Sequence, residues 1–165
     1  SYETPMRDRP TARVVLLDAE DRILLVRGKL PGSEAWFWFT PGGGMEPGET
    51  ILQGAARELL EETGITPHAL GPVVWTRSGA GRLFSGETVM FREHFVIART
   101  TVTSLTRDGW EPHEHILMDE MRWFSQEELA AAAELVALDL PGLLARILAG
   151  EVPPEPLQLP SWDTD

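Results

Sequence analysis

Residues 43–65 read GGMEPGETILQGAARELLEETGI. Within them Glu58, Glu61 and Glu62 are spaced i, i+3, i+4, which on a helix sets their carboxylates on one face within reach of a common centre. Like charges so arranged repel and weaken a bare helix, so the pattern asks either for screening by solvent or for a cation. A solvated acidic face is the usual meaning of a charge run. The neighbouring residues argue against it here. Thr50, with Gln53 three residues on, forms a capping-box pattern, and Pro47-Gly48 sets a turn just ahead of it. At about 100° per residue, Leu52, Ala55, Ala56, Leu59 and Thr63 fall opposite the glutamates as a stripe that must pack on the rest of the domain. Gly64 suits the left-handed residue that ends a helix. Gly54 lies one turn before Glu58, in a helix interior where glycine costs roughly 1 kcal/mol against alanine. It is expected to leave open space beside the carboxylates. Upstream, Pro41-Gly42-Gly43-Gly44 is a backbone with almost no side chains, able to approach a ligand and offer it carbonyls or amides.

The stretch resembles the Nudix box, G-x5-E-x7-R-E-U-x-E-E-x-G-U with U an aliphatic residue. Gly43, Glu49, Arg57, Glu58, Leu59, Glu61, Glu62, Gly64 and Ile65 occupy every specified position. Seven of these are single-residue requirements, each met by chance about once in fifteen, so a random match is roughly a 10⁻⁸ event per starting position. The resemblance implies that Glu58, Glu61 and Glu62 ligate a divalent metal, Glu62 most directly, with a backbone carbonyl near Gly42. It implies that Arg57 and Glu49 form a supporting ion pair, and that Gly43 and Gly44 lie against the substrate. The chemistry agrees independently. Oxygen ligands select hard cations such as Mg²⁺ or Mn²⁺, and Mg²⁺ binds substrate phosphates together with a few carboxylates. Such an ion neutralises charge on a diphosphate and generates hydroxide from bound water, while a glutamate inside or outside the box serves as general base.

The chain of 165 residues fits one domain with a real core, and 42% hydrophobic with 24% charged residues is ordinary for a globular protein. A net charge of −12 argues against non-specific binding to a nucleic acid polymer or an acidic membrane. It does not exclude an acidic small substrate, because bound metal reverses the local sign. With no cysteine there is no disulfide, thiolate nucleophile or Cys-based zinc site, which suits a cytoplasmic protein. No apolar run approaches the roughly 18 residues that span a bilayer, and the N-terminus lacks a signal-like apolar core.

Working outward, residues 1–10 are polar and Pro-bounded, a loose lead-in. Residues 12–17 and 22–26 are aliphatic runs flanking Asp18-Ala19-Glu20-Asp21, a hairpin pattern. Arg27 and Lys29 are placed to touch a substrate phosphate or, equally, to end a strand in solvent. In Trp36-Phe37-Trp38-Phe39 the tryptophans face one way and the phenylalanines the other. Trp38 is a candidate to stack a nucleobase, weighed against core packing as the favoured reading. Residues 72–77 read as a strand, 78–87 as a Gly/Ser-rich loop or hairpin tip, and 88–97 as a strand. Residues 101–117 read as irregular. His113-Glu114-His115 invites a metal reading, but no third ligand is indicated. Residues 125–136 open on a capping box and read as helix, and 142–148 as a second one whose Leu143, Leu144, Ile147 and Leu148 form a buried stripe or a dimer face.

The order of strands, helix, strands, then helices fits a mixed β-sheet sandwiched between α-helices, and the resemblance names it: the Nudix fold, over residues 11–149, with a Pro-rich tail over 150–165. The family implies one more carboxylate from the region of Glu111, Glu114 and Glu120, with Glu120 favoured because it precedes a stretch similar to the family's last strand. It implies Mg²⁺-dependent hydrolysis of a diphosphate bond in a nucleoside diphosphate linked to a moiety X, and homodimers are common in it. The alternative is a catalytically silent Nudix-like nucleotide sensor, a class that typically loses box carboxylates. An isopentenyl diphosphate isomerase on the same scaffold needs a cysteine that this chain lacks. Downstream of the box, Ala80-Gly81-Arg82-Leu83 carries neither the proline associated with ADP-ribose hydrolases nor the tyrosine of dinucleoside polyphosphate hydrolases.

Overall fold

A computed structural model describes residues 5–30, 32–136 and 138–162. The ends of the lead-in and of the tail, residues 1–4 and 163–165, lie outside them. The element order is β1 (Arg7–Leu17), β2 (Ile23–Gly28), β3 (Phe37–Phe39), β4 (Gly42–Gly44), α1 (Ile51–Thr63), β5 (Ala69–Arg82), β6 (Thr88–Arg99), α2 (Pro112–Leu117), β7 (Met118–Phe124), α3 (Gln126–Ala131), α4 (Leu140–Leu148) and β8 (Leu157–Gln158).

The strands form one mixed sheet in the order β3-β2-β1-β6-β5-β8, with β4 added on β1 and β7 on β2. β1 is its axis. It runs parallel to β6 along its whole length and meets β2 antiparallel only at Leu17↔Ile23. Its middle, Thr11 to Arg13, pairs with the glycine strand β4. Alternation along β1 divides the core in two. Val14 and Leu16 join Ala55 and Leu59 of α1 on one face, while Val15 and Leu17 join Leu129, Leu144 and Ile147 of α3 and α4 on the other. The mixed α/β architecture with helices on both faces matches the expected Nudix sandwich.

Several boundaries differ from the sequence reading. β1 starts at Arg7, so residues 7–10 are strand rather than loose lead-in. Pro10 is tolerated because on the β4 side only its carbonyl is used, accepting from the Met45 amide at 3.0 Å, so its missing N–H breaks no ladder bond there. β5 runs to Arg82, so residues 78–82 are strand rather than loop. Their glycines suggest flexibility in isolation, but aromatic rings lie over them: a side chain at Gly81 would collide with Phe91, and one at Gly79 with Trp162. The stretch 101–117 contains the short helix α2, opened by a reciprocal cap between Glu111 and Glu114. α3 is shorter than the helix expected over 125–136 and is followed by a single 3₁₀ turn, Ala133–Leu135. Leu144 and Ile147 are buried in the core, with Leu143 and Leu148 packed against it.

Candidate active site

α1 forms as its sequence dictates. The Thr50 side chain accepts from the Gln53 amide while the Gln53 side chain accepts from the Thr50 amide, and Gly64 closes the helix at φ 79°. Its carboxylates are graded rather than equivalent. Glu62 is only 4% exposed, whereas the side chains of Glu58 and Glu61 are 14% and 49% exposed. Leu52, expected in the apolar stripe, stays largely exposed. The helix is thus rotated so that Glu62 points inward, toward β4.

There Glu62 Oε2 accepts a 2.8 Å hydrogen bond from the Gly42 amide. Burial pushes its carboxyl up to about 8 against that one donor and the more distant Arg13. Burial also raises Glu58, against the pull of Arg57. Trp110 donates from Nε1 to the Glu62 carbonyl at 2.6 Å, anchoring the last turn of α1 from behind. Gly43 lacks a side chain for a visible reason: a Cβ there would stand 2.7 Å from the Glu58 carboxylate.

Arg57 is the hub. It makes a bidentate pair with Glu49 (2.7 and 2.9 Å), donates to Glu58 Oε1 (3.0 Å) and Glu61 Oε2 (3.3 Å), and donates to the Gly44 carbonyl (3.0 Å). Those hydrogen bonds drop the Glu49 carboxyl to about 2. A second hub, Arg13, pairs with the buried Glu93 at 3.0 Å and donates to the Gly42 carbonyl at 3.4 Å. Among the described residues no three acidic or histidine side chains stand ready-made as a cage, because Arg57 draws Glu58 and Glu61 while Gly42 draws Glu62. The donor set nevertheless fits a hard divalent cation. It is all oxygen, and it holds one deeply buried and one half-buried acid whose charges no protein cation fully offsets.

These groups open into a cleft of about 490 Å³. Arg9 also lines it, and its buried Nε has no hydrogen-bond partner. Burial and the neighbouring Arg7 disfavour the Arg9 charge while Glu58 supports it. An anion in the cleft would satisfy this guanidinium.

A sequence model of the NUDIX domain matches residues 7–146. The chain belongs to the Nudix hydrolase family. It is 31% identical over 124 residues to an RNA pyrophosphohydrolase of Francisella philomiragia, covering 71% of this chain and 77% of the relative. It is 30% identical over 123 residues to phosphatase NudJ of Escherichia coli, covering 73% and 71%. Among solved structures, a NUDIX hydrolase from Nitrosomonas europaea superposes with a TM-score of 0.57 at 28% identity, covering 90% of this chain and 92% of that one.

In this Nudix hydrolase the box residues Glu49, Arg57, Glu58, Glu61, Glu62 and the glycines Gly42, Gly43 and Gly44 all gather around the cleft. Three candidates from outside the box do not. Trp38 is 6% exposed, with its ring 4.8 Å from that of Phe124 in the core, so Phe39 from the opposite side of β3 reaches the cleft instead. Arg27 pairs with Asp119 at 2.8 Å, and it is Lys29 that lines the cleft. Glu120 faces Arg27 in the β2–β7 ladder and pairs with Arg122 at 3.0 Å, away from the cleft. Glu111 and Glu114 line it in its place, and Glu114 is near enough to raise both Glu58 and Glu62. His113 and His115 separate, the first stacked on Phe84 and the second against Trp110. The space expected beside Gly54 is filled by the Met45 sulfur. Arg9 was missed by the sequence reading. Its only signal was a basic residue three positions before an apolar strand, in a segment read as a loose lead-in.

Proposed function

We propose that this Nudix hydrolase cleaves a diphosphate bond in a nucleoside diphosphate linked to a second moiety X, releasing a nucleoside monophosphate and phosphorylated X. The reaction is Mg²⁺-dependent, with Mn²⁺ as a substitute. Glu58, Glu61 and Glu62, with the Gly42 carbonyl, are the residues that would hold the ion. When bound, it supplies charge neutralisation on the diphosphate and a lowered pKa for water. Arg57, locked by Glu49, orients Glu58 and Glu61 and keeps them from collapsing elsewhere. Arg9 and Lys29 bind substrate phosphate, and Glu114, rather than Glu120, is the added carboxylate that takes the water's proton. Substrates are nucleotide-type small molecules rather than a polymer, in keeping with the net charge of −12. The cysteine-free composition suits a reaction in the cytoplasm.

One observation carries this reading: graded acids on one helix, braced by Arg57, share a cleft with Arg9, whose buried Nε has no hydrogen-bond partner. The test is formation of nucleoside monophosphate from a nucleotide library with Mg²⁺, followed chromatographically for wild type and Glu58→Gln. We expect turnover to fall by about 10²-fold or more in the variant. Wild-type rates in Glu58→Gln would remove the site assignment. Nucleotide binding without any turnover in the wild type would point to the sensor instead.

A further inference from the structure

Beside the acidic cleft lies a second cavity of about 490 Å³, and its walls are of a different kind. Phe37, Phe39, Phe91 and Trp162 line it, and Arg13, Phe39 and Phe91 are walls common to both cavities. A ligand with a charged end and a flat apolar end can therefore occupy the two together. Trp162 comes from the C-terminal tail, outside the residues 7–146 that match the domain.

The tail is seated by several independent contacts. β8 adds to the free edge of β5 in parallel, through Trp75↔Leu157 and Thr76↔Gln158, and the Leu159 amide donates to the Thr76 carbonyl at 2.8 Å. Trp162 Nε1 then donates to the Ala80 carbonyl at 2.9 Å. Its indole lies over Gly79, where any side chain would collide with the ring. The Arg77 guanidinium sits 4.7 Å from the indole centroid, itself ion-paired to Glu93 at 2.8 Å. Phe91 flanks the indole with ring centroids 6.3 Å apart at 51°. Trp162 is nonetheless 44% exposed. A large aromatic held this firmly, with this much surface open beside an aromatic cavity, has the form of a stacking platform.

We infer that Trp162 is a specificity-determining residue: the tail completes a pocket for the nucleobase of the substrate, whose phosphates lie in the adjoining acidic cleft. This rests on the nucleotide-hydrolase reading above. Stacking on an indole is tolerant of base identity, so the pocket selects for the presence of a flat ring more than for one base. It also gives Gly79 a role, since a glycine there is what lets the indole lie flat.

The test is calorimetric titration with α,β-methylene analogues of ATP and GTP, and with tripolyphosphate as a base-free probe, all with Mg²⁺. Wild type, Trp162→Ala, Trp162→Phe and Gly79→Ala are compared. Gly79→Ala keeps the tryptophan but displaces it, and circular dichroism checks that each variant is folded. We expect Trp162→Ala and Gly79→Ala to weaken binding of the methylene nucleotides by about 5- to 150-fold, the range of one base-aromatic stack. Trp162→Phe should retain most of the affinity, and tripolyphosphate should bind all four proteins alike. Unchanged nucleotide affinity in Trp162→Ala overturns the inference, as does an equal loss for tripolyphosphate or no nucleotide binding by the wild type. Binding is read separately from turnover. A tryptophan-dependent affinity in a protein that hydrolyses nothing would uphold the pocket while refuting the hydrolase.

Discussion

Replacing Glu62 with glutamine should stabilise the protein when no divalent ion is present, and should do so only above mildly acidic pH. Glu62 is 4% exposed and takes one hydrogen bond, from the Gly42 amide. Burial holds its carboxyl at about 8, against 4.5 for the free group. The folded state therefore keeps a proton through a window in which the unfolded chain has already lost it, and unfolding releases that proton. Stability must fall as pH rises through this window. At about 1.36 kcal/mol per pH unit between 4.5 and about 8, the full effect is at most about 5 kcal/mol. Glutamine is nearly isosteric, can still accept from Gly42, and never ionises. Urea denaturation in EDTA should thus show wild type and Glu62→Gln similar near pH ~5 and the variant more stable by several kcal/mol near pH ~8.5. Saturating Mg²⁺ should reverse the order at the higher pH, because only wild type gains the linked binding energy. Equal pH dependence of the two proteins in EDTA between those values would refute the reasoning, as would a variant that Mg²⁺ stabilises as well as wild type.

Arg57→Lys should lose about 10- to 100-fold in turnover with little change in fold, since an ammonium cannot span Glu49, Glu58, Glu61 and the Gly44 carbonyl at once; steady-state kinetics beside far-UV circular dichroism reads this. Gly43→Ala sets a methyl 2.7 Å from the Glu58 carboxylate, and should cost at least about tenfold in activity and weaken Mg²⁺ binding by calorimetry. Arg9→Ala should raise KM by about tenfold while kcat changes less, because it removes a phosphate contact rather than a group at the reacting atoms.

The sequence alone determined α1 and the constellation it carries. Thr50, Gln53 and Gly64 act through bonds that span only a few residues, and the positions of Arg57, Glu58, Glu61 and Glu62 share a helix surface by spacing alone. Local chemistry suffices where partners are close along the chain. Tertiary structure decided everything that depended on which face meets which neighbour. Alternation on β3 separates Trp38 from Phe37 and Phe39 in either case, but only packing against Phe124 and α3 turns the tryptophan into the core. Glu120 and Glu114 are equally acidic in sequence. β7 pairing with β2 commits the first to Arg122, while a single turn of α2 brings the second over the cleft. Arg9 joins the site because β6 extends β1 toward its start. Residues 78–82 become strand because rings from β6 and the tail cover their glycines. Apart from the Glu120–Arg122 pair, two residues apart on β7, these contacts join residues well separated in the chain, and no short-range pattern records them.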